Sequence, residues 1–215
     1  PFQRNGGPHV KTPRHALLAL AALLVALPGA ASAQTTATAS ADSASWPGRY
    51  PYTKADIHFI TGMIGHHSQA ITMAKWAPTH GASETVRTLC ARIITAQQDE
   101  ITLMQNWLKD RHQPVPDPAM ADMPGMDHEL MPGMLTPAQL KQLDATRGPD
   151  FDRTFVRLMI QHHQGALTMV NQLFATPGAG QDEQIYKLAS DVYADQSTEI
   201  DRMQKMLITL AWEKP

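Results

Sequence analysis

Four stretches of the chain carry apolar residues at helical spacing, and none shows sustained strand alternation. The first predicts a helix from Lys54 to Ala77. Thr53 with Asp56 three residues on is an N-terminal capping signature, and Pro78 and Gly81 stop the pattern. The second runs from about Ser83 to Lys109, the third from about Asp150 to Ala175, where Pro177-Gly178 breaks it, and the fourth from about Gln181 to Trp212. A Pro- and Met-rich connection, Arg111 to Leu135, separates the pairs. After it Thr136 and Pro137 open a short helix.

The helices repeat. Met63 through Met73, containing His66-His67, aligns with Met159 through Met169, containing His162-His163, at an offset of 96 that also pairs Asp56 with Asp152 and Phe59 with Phe155. The following helices match at an offset of 99: Gln97, Glu100, Ile101, Met104 and Leu108 against Gln196, Glu199, Ile200, Met203 and Leu207. A single hairpin is too thin to bury its own apolar face. The expected fold is therefore all-α, a four-helix bundle formed by two similar helical hairpins.

The chemistry lies on the stripes that should face inward. At about 100° per residue, Asp56, Phe59, Met63 and His67 share a face, with His66 and Met73 on its flank. Adjacent histidines point apart, so one is expected to face the bundle axis while the other turns to a neighbouring helix. In the partner helices one Gln and one Glu interrupt each apolar stripe, and Glu100 and Glu199, if buried, need cationic, hydrogen-bonding or metal partners. The candidate ligands are Met63, His66, His67, Met73, Met159, His162, His163 and Met169, with Asp56, Gln97, Glu100, Asp152, Gln196 and Glu199 supporting them. Met is also ordinary core filler and a buried His an ordinary hydrogen-bonded core residue. Duplication of the whole set favours the metal reading. Gly65 and Gly165, each costing about 1 kcal/mol inside a helix, are expected where helices approach closely.

Composition sharpens this picture. Over 215 residues, 18 Lys and Arg stand against 20 Asp and Glu, a net charge of −2, so no overall basic field marks a nucleic-acid partner. One cysteine cannot close an intramolecular disulfide or build a thiolate metal site, and Cys90 lies on an apolar stripe. Twelve methionines are an unusual number. Five of them, Met120, Met123, Met126, Met131 and Met134, crowd the connection beside His128, with Met-Pro-Gly-Met occurring twice. No helical stripe accounts for these. Thioether with imidazole is the donor mix that suits Cu(I).

Residues 1–33 read as a secretory signal peptide: Lys11 and Arg14, an apolar run from Ala16 to Leu27, then Ala31-Ser32-Ala33, with cleavage before Gln34. The run is too short to span a bilayer. Residues 34–52 read as a disordered leader, 53–212 as the bundle domain with the Met-rich connection at 111–135, and the mature chain as periplasmic or secreted.

Met63 through Met73, Phe151 through Met169, and the Gln97, Glu100, Met104, Trp107 pattern resemble the bacterial family known as domain of unknown function 305, DUF305. The resemblance covers about Lys54 to Leu210 and implies a ferritin-like bundle that binds Cu(I) and Ag(I) through Met and His. Met206 stands where the first hairpin has Trp107, so the halves are not expected to bind equally. The leading expectation is an exported protein that sequesters or transfers copper in copper homeostasis or resistance, without catalytic turnover. A copper exporter or another periplasmic carrier is its expected partner, and a homo-oligomer is open. Two other readings stand beside it. A di-metal oxidoreductase, with iron or copper, would use Glu100 and Glu199 but lacks the Glu-x-x-His motif, so iron fits less well. A metal-free helical interaction module is the third.

Overall fold

The computed structural model describes residues 52–117 and 131–212, which contain five helices and no strand. These are α1 (Lys54–Lys75), α2 (Glu84–Asp110), the short α3 (Pro137–Asp144), α4 (Pro149–Ala175) and α5 (Glu183–Trp212). Their limits follow the sequence closely because local chemistry sets them. Thr53 accepts from the Asp56 amide while the Asp56 carboxylate accepts from the Thr53 amide, closing the capping box of α1. Ser83 caps α2, Thr136 with Gln139 boxes α3, and Asp182 accepts from the Gln184 and Ile185 amides at the start of α5. Pro149 opens α4 behind Gly148, whose φ of 56° favours glycine.

Helix α1 packs on α2 and α4 on α5, and the hairpins meet through α1 against α4. The core is stratified. At one end Met73, Ala74, Val86, Leu89, Phe151 and Phe155 belong to one apolar cluster. At the other, Phe59, Ile60, Trp107, Val170, Leu173 and Ile185 belong to a second. Along α1 and α4 the four histidines fall between these ends. The chain segment 131–135 runs over the α1–α4 seam: Met131 packs on the second cluster and Leu135 is buried in the first.

That segment explains Gly165. A Cβ there would lie 1.9 Å from the Pro132 carbonyl oxygen, so the close approach comes from the connection and not, as expected, from a helix. Gln69 fixes the same segment, its amide donating to Leu135 O (3.1 Å) and accepting from Leu135 N (2.7 Å). With α2, α4 and the connection all around it, α1 is buried well beyond a single stripe.

Asp56 and Asp152 join the hairpins at their ends. Asp56 accepts from the Gly180 amide in the α4–α5 turn at 2.7 Å, and Asp152 accepts from the Ser83 amide in the α1–α2 turn at 3.1 and 3.2 Å. Tyr52, at the end of the expected leader, is buried edge-on against Trp107 at 5.2 Å, with Arg111 over both rings and paired to Asp182. The expected signal peptide and residues 34–51 lie outside the described residues. Among those described, no helix is long and apolar enough to cross a membrane.

Candidate metal centre

The two His pairs meet at the hairpin seam. His66, His67, His162 and His163 are fully buried. His66 and His162 face one another across α1 and α4, with ring centroids 3.8 Å apart. His67 and His163 turn outward instead. Each places Nε2 2.7 Å from a carboxylate, His67 on Glu100 of α2 and His163 on Glu199 of α5. The 100° step separates the two rings of each pair, but the ring that faces the seam is the one on the flank of the sequence stripe, His66, with His162 as its counterpart.

Each glutamate sits at the rim, its side chain 15% exposed for Glu100 and 20% for Glu199, and finds the hydrogen-bonding partner its partial burial demands. Asp195 on α5 shares this rim. Partial burial, followed by the negative charge of Glu100, Asp191 and Glu199, raises its carboxyl pKa.

The inner rings are held neutral. Burial, then the neighbouring His67, lowers the His66 pKa from 6.5 to about 3, and burial followed by His66 lowers that of His162 well below its ordinary value. His66 Nε2 lies 3.1 Å from Pro132 O, which can only accept, so Nε2 carries the proton and Nδ1 keeps a lone pair. The Nδ1 atoms of His66, His67 and His163, both ring nitrogens of His162, and the side-chain amides of Gln97 and Gln196 are buried without a hydrogen-bonding partner. An apolar interior rarely tolerates so many bare polar atoms in one layer. Neutral imidazole with a free lone pair is the form that binds metal, and a carboxylate on the other nitrogen orients such a ring and raises its basicity.

The methionines divide by distance. Met63 and Met159 are fully buried and within one turn of the histidines along their own helices. Met73 and Met169 follow His66 and His162 by seven residues, about 10 Å along the axis, and lie in opposite end clusters. Met131 and Met134 are half-buried on the connection, whereas Met120, Met123, Met126 and His128 lie outside the described residues. Asp56 and Asp152 are corrected: both are spent on amides at the hairpin ends, eleven residues from His67 and from His163, about 16 Å along the helix. Burial and nearby Asp152 raise the Cys90 thiol pKa to about 12, which makes it a poor ligand.

Among the described residues no three His, Cys, Asp or Glu side chains already stand in a metal-holding arrangement. An ion in this layer would draw on methionine sulfur or turn an imidazole. Two contributors escaped the sequence reading: the Pro132 carbonyl, which pins His66, and Gln69, which holds the connection over the seam. The only signal for the former was the glycine at position 165.

A duplicated helical hairpin closed over a buried histidine layer defines the class of this protein. The chain belongs to the family described as domain of unknown function DUF305, whose profile matches residues 56–207. It resembles the crystal structure of a DUF305 protein from Streptomyces coelicolor, with 29% identity, a TM-score of 0.62, and coverage of 75% of this chain and 96% of that one. It also resembles CopM in its Cu(II)-bound form, with 32% identity, a TM-score of 0.58, and coverage of 72% and 96%. CopM in its Cu(I)-bound form gives 29% identity and a TM-score of 0.56 over the same shares of the chains. An uncharacterised protein of Acanthamoeba polyphaga mimivirus is 41% identical over 56 residues, 26% of this chain and 37% of that protein's length.

Proposed function

We propose that the chain binds copper as cargo, as Cu(I), and sequesters it or passes it on outside the cytoplasm. The observation that carries this reading is the layer of four buried histidines, five of whose ring nitrogens are buried without a hydrogen-bonding partner. Met63 and Met159 supply thioethers within a turn, and Glu100 and Glu199 steady the outer rings. Soft sulfur with neutral nitrogen suits a monovalent copper or silver ion. Similarity to CopM, solved with copper and with silver, supports the same ions. The signal-type segment at residues 1–33 supports export, and a copper exporter or soluble carrier is the partner such cargo requires.

Di-iron chemistry fits less well, since both glutamates are engaged by histidine and the two aspartates by backbone amides. The test is a Cu(I) titration against a competing chelator. Replacing all four histidines and Met63 and Met159 together should abolish tight binding. An unchanged affinity in a variant that circular dichroism shows to be folded would overturn the assignment.

A further inference from the structure

A second group of soft donors lies outside the histidine layer, at one end of the α1–α4 seam. His58, Met131 and Met169 line a cavity of about 80 Å³ walled by Phe59 and Leu173. The two methionines converge above Gly62: from a Cβ built there, Met131 Sδ would lie at 3.1 Å and Met169 Cε at 3.4 Å. Gly62 thus leaves room for both side chains. The space is far below the roughly 300 Å³ at which pockets accommodate organic ligands, and it suits a bare ion.

The opposite end of the bundle is built differently, although the repeat relates the two. Advancing His58 by the repeat offset gives Thr154, and Met169 corresponds to Met73, which is fully buried. There Phe151 stacks on Phe155 at 5.7 Å and lies 5.1 Å from His80, which itself stacks on Trp76. At that end of the α1–α4 seam aromatic rings pack together, while at the other the seam keeps a small cavity edged by sulfur and imidazole.

We propose that His58, Met131 and Met169 form a second metal site, specific for a soft monovalent ion, Cu(I) or Ag(I), and separate from the histidine layer. Two thioethers and an imidazole make a neutral three-donor set. Among the described residues no carboxylate lines the cavity. A divalent ion would therefore enter an apolar-walled space with its charge uncompensated, whereas a monovalent soft ion loses less hydration and gains sulfur. His58 is exposed and Met131 half-buried, so the donors reach from solvent towards the seam. The site rests on the copper reading given above, yet it uses different residues and can fail by itself.

The full chain, carrying 13C-methyl methionine and 15N-histidine, is titrated with Ag(I) and separately with Zn(II), with bound silver counted by equilibrium dialysis. The Met131 and Met169 methyl signals and the His58 ring should shift together with Ag(I) and stay in place with Zn(II). Met131→Leu with Met169→Leu should remove one bound equivalent. His58→Ala, at an exposed position that folding does not need, should weaken that equivalent about tenfold or more. If the His66 and His162 rings respond while Met131 and Met169 do not, the second site is overturned and the inner layer stands. If the two methionines and His58 respond alone, the second site stands and the inner layer falls. If none responds, both fail, and a response that His58→Ala leaves unchanged overturns the three-donor site.

Discussion

Single side chains decide how the histidines present themselves. His67 and His163 are oriented by Glu100 and Glu199, so removing the charge while keeping the size should loosen both rings. Glu100→Gln with Glu199→Gln should lower Cu(I) affinity about 10- to 100-fold, as measured by chelator competition, with little change in helix content. Gly165 acts through absence. In Gly165→Ala the added methyl meets the Pro132 carbonyl, and overpacking should outweigh the gain in helix propensity, for a net loss of about 1–3 kcal/mol in urea unfolding. Capping residues were legible because a cap depends on its near neighbours. Asp56 shows the limit: the sequence revealed its capping bond to Thr53, but its bond to Gly180 joins positions far apart in the chain.

The five helices were readable from periodicity and breakers, since both act within a turn or two. The duplicated motif placed the histidines on inward faces in the same way. What remained hidden was the course of the connection, because a Pro- and Gly-containing segment has no period and its path is set by surfaces distant in sequence. Gln69 is the main anchor. Gln69→Leu would leave the Leu135 amide and carbonyl buried and unpaired, which should cost about 2–4 kcal/mol. Limited proteolysis should then cut near residues 131–135 faster than in the unaltered chain. The same blind spot concealed the His58, Met131 and Met169 cavity, because it takes one donor from each of α1, the connection and α4.

Across the whole molecule the neutral inner histidines tie stability to pH. Below 6.5 the unfolded chain takes up protons that His66 refuses until about pH 3 and that buried His162 likewise resists well below its ordinary range. Stability contributed by this pair is therefore complete above 6.5 and declines as the pH falls, by at most about 1.4 kcal/mol per pH unit for each ring. Urea melts at pH 7 and 5 check this: His66→Gln should lose about 2 kcal/mol less than the unaltered chain over that interval. Bound ion acts in the opposite direction. At a hundredfold excess of free Cu(I) over its Kd, folding should gain about 2.7 kcal/mol, and the melting temperature should rise about 5–10 °C.

Two halves related by a two-fold axis have no first and second. A covalent strap laid across that axis gives them an order: among the described residues Pro132 goes to His66 with no counterpart at His162, and one end of the seam receives Met131 while Phe151 and Phe155 stack at the other. Joining the copies in one chain therefore supplies polarity that neither copy holds alone. A vessel with two equivalent mouths has no direction of filling. Under the copper reading proposed above, Met131 edges one end of the seam while Phe151 and Phe155 pack at the other, so the tether that links the hairpins would also set the end from which an ion enters.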